Sequence, residues 1–361
     1  MTNPVVPLFS SQTTAAERPP VARVRGLLWK LVFATLILMA IGSATRVANA
    51  GLACPDWPLC YGKVVPMAEM NLQVFLEWFH RMDASAIGLL TIALLGRSLQ
   101  WRSRLPRWLA PVSALALLLV VVQGGLGAFT VTELLRFDIV TAHLGTALLF
   151  FVVLVAATVA LVDLDGDAES SGTQSCASPA TESSATVPRC QVLGWVGAIA
   201  ALLIYLQSLL GALVSSQWAL HQCLGGFASL CRIMYGHLFG VVPPTLAVLV
   251  LVVGAWRSQQ LPVVLRRLAY AAGGLVALQI ALGFATFWLH LQVEPLTVAH
   301  QTIGATLLGS LVAFATIARR LARAPELLQL ASEATETGTG DTDATDDTGS
   351  TSDRAIRAES F

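Results

Sequence analysis

An all-α integral membrane protein, with eight transmembrane helices as two repeated four-helix bundles, is the fold class this sequence predicts, on three observations. Of the 361 residues, 55% are hydrophobic and only 12% charged, with a mean hydropathy of +0.69, more apolar than a soluble fold can conceal. Apolar runs of about 20 residues, enough to cross a bilayer, begin near Leu27, Leu76, Trp108, Asp138, Val192, Ile233, Val264 and Thr297. Four of these runs carry a histidine, and His80 and His143 are separated by the same 63 residues as His237 and His300.

Residues 1–26 read as a cytoplasmic N-terminal segment, and the first run ends at Ala48-Asn49-Ala50, which looks like the cleavage site of a secretory signal. Cleavage is rejected because the run has a counterpart in the second half: Gly42 stands 12 residues before Cys54, and Gly211 stands 12 before Cys223. The second run carries Glu77 and His80. The third carries Gln123-Gly124-Gly125-Leu126-Gly127-Ala128-Phe129-Thr130 ahead of His143 in the fourth, which completes an N-terminal bundle over 27–162. Residues 163–191, rich in Ser, Thr, Asp and Glu, read as a disordered cytoplasmic linker. The fifth run holds Gly211. The sixth holds His237 and Pro243-Pro244, the only candidate for a helix broken in mid-span. In the seventh, Gln279-Ile280-Ala281-Leu282-Gly283-Phe284-Ala285-Thr286 precedes His300 in the eighth, so helices three and four return as seven and eight in a C-terminal bundle over 192–320. Residues 321–361 read as a disordered acidic tail.

Net charge is zero, which predicts no nucleic-acid partner, but its distribution orients the chain. Arg23, Arg25, Lys30, Arg97, Arg102, Arg104, Arg107, Arg257, Arg266, Arg267, Arg319, Arg320 and Arg323 fall on one side, against Arg46, Lys63, Arg81, Arg136 and Arg232 on the other. Both termini are therefore expected in the cytoplasm of a multi-pass cell-membrane protein.

Imidazole is expensive to hold in hydrocarbon, so four histidines in register point to a cofactor, a proton path or a cavity. Haem iron between facing histidines fits best, with His80 facing His143 and His237 facing His300 as metal ligands. Each histidine then sits about 5 to 8 Å below the outer surface, at 1.5 Å per residue. A histidine taken alone more often bonds a neighbouring carbonyl, and His221 and His290 fall outside the repeat. Gly124, Gly125, Gly127, Gly145, Gly283 and Gly304 allow close helix packing or leave room for a flat macrocycle.

Cys54 with Cys60 and Cys223 with Cys231 lie in outer loops and are expected as two intraloop disulfides. They either brace a lid over the cofactor or exchange electrons during turnover, and bracing is favoured. Cys176 and Cys190, in the linker, are expected to stay reduced. Glu77 lies three residues before His80 on the same helix face, where the second half has Met234. A carboxylate in one cavity alone suggests that one haem is transformed and the other carries electrons. The competing role for Glu77 is a helix N-terminal acid favoured by the dipole. Arg46, Arg81 and Arg232 are candidate partners for haem propionates.

Gly51-Leu52-Ala53-Cys54-Pro55-Asp56-Trp57-Pro58-Leu59-Cys60-Tyr61-Gly62 together with Glu77-Trp78-Phe79-His80-Arg81 resembles the haem A synthase family, over roughly residues 25 to 320. The resemblance implies oxidation of a ring methyl of haem O to a formyl group by successive hydroxylations, for cytochrome oxidase biogenesis. It implies haem O as substrate between His80 and His143, catalytic assistance by Glu77, and a resident haem b on His237 and His300. The four outer cysteines match its disulfide-bearing branch. Haem O synthase and cytochrome oxidase assembly factors are candidate partners beside the lipid bilayer, and a homo-oligomer is compatible. Two other classes explain part of the pattern. A dihaem b-type cytochrome linked to quinone accounts for the histidines but not for Glu77 or the loop motif. A transporter needs helices broken in mid-span.

Overall fold

The computed structural model describes residues 19–162, 183–214, 228–258, 261–289 and 293–339. Among them are nine α-helices: α1 (Pro19–Val47), α2 (Leu72–Gln100), α3 (Leu109–Thr132), α4 (Phe137–Ala160), α5 (Ser183–Val214), α6 (Ala228–Phe239), α7 (Val242–Arg257), α8 (Val263–Trp288) and α9 (Glu294–Thr339). They make eight stretches long and apolar enough to span a membrane, α6 and α7 together forming the sixth, so the chain is a multi-pass, all-helical membrane protein.

Pro243 and Pro244 account for the interrupted sixth span. Neither has an N–H for the carbonyls of Phe239 and Gly240, so the helix cannot run on in register and breaks at Gly240–Val241. It resumes with the prolines in the first turn of α7, where a missing donor costs nothing.

Helices α1 to α4 contact one another in a ring, α1 on α2, α2 on α3, α3 on α4 and α4 on α1. A second ring runs from α5 through α7 and α8 to α9 and back to α5, with α6 against α5. The rings meet where α9 touches α1 and α4, and where α4 touches α5. The eighth span is accordingly the most enclosed, with 56% of its apolar window buried against 6% for the third. Gly197 and Gly309 make that density possible: a methyl at either would stand 2.9 Å from the ring of Phe314 or Phe151. Leu115, Leu118, Val121 and Val122 of α3 are exposed, the apolar surface a lipid environment requires. In the interior, α2 and α3 are joined by a Ser98–Ser113 hydroxyl hydrogen bond of 3.0 Å.

Arginines at the termini side also close helix ends. Arg320 donates to the carbonyls of Val159 and Val162 at 2.9 and 3.0 Å, beyond the end of α4, and Arg319 lies 4.0 Å over the Trp195 ring.

Three boundaries differ from those expected. α1 begins at Pro19, inside the expected N-terminal segment, because Arg23 and Arg25 are helix-compatible and can carry their charge to the interface. α5 begins at Ser183, so 183–191 are helical rather than linker, and Cys190 is buried within that helix. α9 runs on to Thr339 through Glu326-Leu327-Leu328-Gln329-Leu330-Ala331, strong helix formers, so 321–339 are helical rather than disordered. The rest of the linker and tail, Cys176, Cys223, His221 and His290 lie outside the described residues, as does the side chain of Cys231; the expected second disulfide falls there.

Candidate functional site

The α1–α2 loop is built around two fixed points. Cys54 and Cys60 form a disulfide and are almost fully buried. Asp56, inside the ring they close, accepts the N–H groups of Tyr61 and Gly62 at 2.6 and 2.8 Å. Those residues have φ of 54° and 70°, and the left-handed turn is where a glycine at 62 is needed. Trp78 donates to the Val64 carbonyl at 2.8 Å. The Lys63 ammonium, 2.9 Å from Glu69, holds that half-buried carboxyl below the usual carboxylate range. Asn71 caps α2 by accepting from Val74 N–H.

Glu77 lies in the second turn of α2, only 4% exposed, and α2 has no acid in its first turn. Asn71 therefore fills the cap role, and the dipole reading of Glu77 falls. Both of its carboxylate oxygens are engaged. Oε2 accepts the Cys54 N–H at 2.7 Å, and Oε1 accepts from Arg81 at 2.5 Å. Arg81 also donates to the carbonyls of Asp56, Leu59 and Cys54. One guanidinium thus ties three loop carbonyls and a buried acid to the helix that carries His80, which leaves it committed to the loop and not free for a propionate.

The four histidines share one seat. A methyl group at Gly42 of α1 would stand 2.8 Å from Cε1 of His80 on α2; at Gly127 of α3, 3.3 Å from Cε1 of His143 on α4. At Gly211 of α5 the distance to His237 on α6 is 2.9 Å, and at Gly283 of α8 it is 2.9 Å to His300 on α9. Each imidazole lies against the backbone of the preceding span at a point where only a hydrogen fits. Nδ1 of His80, of His143 and of His300 is enclosed and without a hydrogen-bond partner. His143 lies within electrostatic reach of His80, and His300 of His237.

The amide groups nearby distinguish the histidines. The Gln207 nitrogen is 3.1 Å from Nδ1 of His237 and donates to the His237 carbonyl at 2.6 Å. The Gln279 nitrogen is 3.3 Å from Nε2 of His300.

Among the other expected small residues, Gly145 faces Tyr205 and Leu209 across the two rings, and Gly304 faces Gln279. Gly124 and Gly125 have nothing within 4 Å, so neither makes a close contact. Among the described residues no three His, Cys, Asp or Glu converge on a point where they alone could hold a metal ion. Sequence reasoning passed over Asp56, Asn71 and Gln207. Gln207 had left a signal, since it stands four residues before Gly211 as Gln123 stands before Gly127 and Gln279 before Gly283.

Fold and site together define a class: an eight-span helical membrane protein with a glycine-seated histidine in each of four spans and a disulfide loop anchored by a buried acid–arginine pair. Residues 25–312 match the model of the family described as cytochrome oxidase assembly protein, and the chain belongs to that family. It is 27% identical to the heme A synthase of Caulobacter sp. (strain K31), over 81% of this chain and 96% of that protein. The heme A synthase of Shewanella oneidensis is 36% identical over 132 residues, 32% of this chain and 38% of that protein. The chain thus aligns with well under two thirds of the Shewanella protein. A protoheme IX farnesyltransferase of Haloarcula marismortui is 36% identical over 69 residues, 19% of this chain and 14% of that protein.

Proposed function

We propose that the chain is a haem A synthase, an oxidoreductase that converts a ring methyl of haem O to a formyl group by successive hydroxylations. The observation that carries this is the glycine-seated histidine repeated in four spans of a chain from the cytochrome oxidase assembly family. Imidazoles within electrostatic reach of one another in twos, with no third His, Cys, Asp or Glu converging on them among the described residues, suit a metal that arrives with its other ligands already supplied.

On this reading His80 and His143 hold the substrate haem O, and His237 and His300 hold a haem b. When bound, haem b would supply one-electron redox chemistry beside the substrate. Glu77 sits one helical turn outward of His80 with lone pairs beyond those used by Cys54 and Arg81. Its carboxylate stabilises positive charge developing on the methyl carbon, or accepts the proton released there. Arg81 keeps Glu77 and the loop in one position during this step, and the disulfide loop keeps water from the site. The arginine distribution supports a cell-membrane protein with both termini in the cytoplasm. A protein that farnesylates protohaem supplies the substrate, which the short match to a protoheme IX farnesyltransferase supports.

The test is expression in a host that makes haem O but no haem A, with the extracted haems identified by chromatography and mass. Haem A or its hydroxylated precursor is the expected result. Haem B alone, beside untouched haem O, overturns the proposal.

A further inference from the structure

The two halves carry the same histidine seat but not the same backing. Leu38 stands four residues before Gly42, in the place Gln207 occupies before Gly211. Asp83 stands three residues after His80, in the place Gly240 occupies after His237. The second half uses both of its residues together. A methyl at Gly240 would overlap the Gly236 carbonyl oxygen and lie 2.6 Å from Oε1 of Gln207, so the bend admits only glycine and the amide packs against it. The break at Gly240–Val241 takes the His237 carbonyl out of the helical ladder, and the amide nitrogen of Gln207 bonds it instead. The same nitrogen reaches Nδ1 of the ring, so a single side chain grips both ends of His237. In the first half α2 runs unbroken past His80, and the Leu38 backbone hydrogen-bonds the ring as the Gln207 backbone does in the second half, but the Leu38 side chain has no polar atom and Nδ1 of His80 has no partner.

We infer that Gln207 is a positioning residue that locks His237 from behind, and that Leu38 leaves His80 unlocked, so the C-terminal haem is retained while the N-terminal haem can leave. This rests on the haem-ligand reading above. The contacts seen suit a ring with its proton on Nε2. With iron on Nε2 the proton moves to Nδ1, and a half-turn of the Gln207 amide presents Oε1 to it as acceptor, exchanging the bond to the His237 carbonyl for one to the ring. Leucine can make no such adjustment. A site that must release its haem as product gains from a ligand free to swing, and a site that keeps its haem gains from one that is not.

The full-length protein, purified in detergent from the haem O-producing host, is mixed with excess apomyoglobin and haem transfer is followed by absorbance. Two phases are expected, the fast one from His80–His143 and the slow one from His237–His300. Q207L should accelerate the slow phase by about tenfold or more and shift the g-values of the low-spin haem. L38Q/D83G, which places an amide behind Nδ1 of His80 without freeing the His80 carbonyl, should slow the fast phase. Unchanged slow release and unchanged g-values in Q207L overturn the lock. If Q207L does not fold, an unchanged fast phase in L38Q/D83G overturns it. H237A separates the lock from its premise: if the slow phase survives H237A, the ligand reading itself is wrong. If H237A abolishes the phase and Q207L leaves it alone, only the lock is wrong.

Discussion

A single methyl group probes the seating of each histidine. G42A and G127A should displace His80 and His143, and G211A and G283A should displace His237 and His300, because each new Cβ would fall within 2.8 to 3.3 Å of an imidazole carbon. Haem absorbance per polypeptide at the affected site should fall about tenfold, while G88A and G274A, which have nothing within 4 Å, should bind haem normally. Equal haem content in all six variants would remove the seats from the binding site. Glu77 makes a different prediction. E77Q keeps the shape and one acceptor oxygen, so haem on His237 and His300 should be retained while turnover of haem O falls by about 10²-fold or more. Unchanged turnover, measured as haem A per haem b, would leave Glu77 as a purely structural anchor.

Arg81 is the joint between α2 and its loop, and its effect belongs to the element. The Glu77 and Arg81 side chains are only 5% and 11% exposed, and removing one partner of such a buried pair costs about 3–5 kcal/mol. R81A should therefore lower the thermal midpoint and open residues 54–60 to proteases, whereas C54S/C60S, which leaves the arginine contacts in place, should protect the loop better. The reverse order would make the disulfide the main restraint. The spans were legible because apolar length is written directly in composition, and so was the sixth-span weakness, because Pro243-Pro244 lack donors whatever surrounds them. Helix ends were less legible, since Ser183–Gln191 and Glu326–Thr339 balance polarity against helix propensity. Glu77 and His80 were visible as a pair on one face. Their partners Cys54, Gly42 and Arg81's three carbonyls were not, because those contacts are made between elements and leave no period in the sequence.

For the whole molecule, the arrangement of charges makes a prediction of its own. With Arg319, Arg320 and Arg323 at the same end as Arg23 and Arg25, tags at either terminus should resist protease added outside intact cells and be cut only after the membrane is opened. Digestion of one tag in intact cells would refute the orientation and move the histidines to the opposite face. The two rings of helices have separate histidine seats, yet they share α9 as common ground through its contacts with α1, α4, α5 and α8. That central place falls to the last of the described helices. During synthesis the first four spans enter the bilayer with the flank that α9 will cover still facing lipid, and they wait for four more spans before it closes. The flank of α1 and α4 is therefore enclosed only when α9 is inserted, so the packing around the first ring is set by the completion of all eight spans and not by the order in which its histidines emerge.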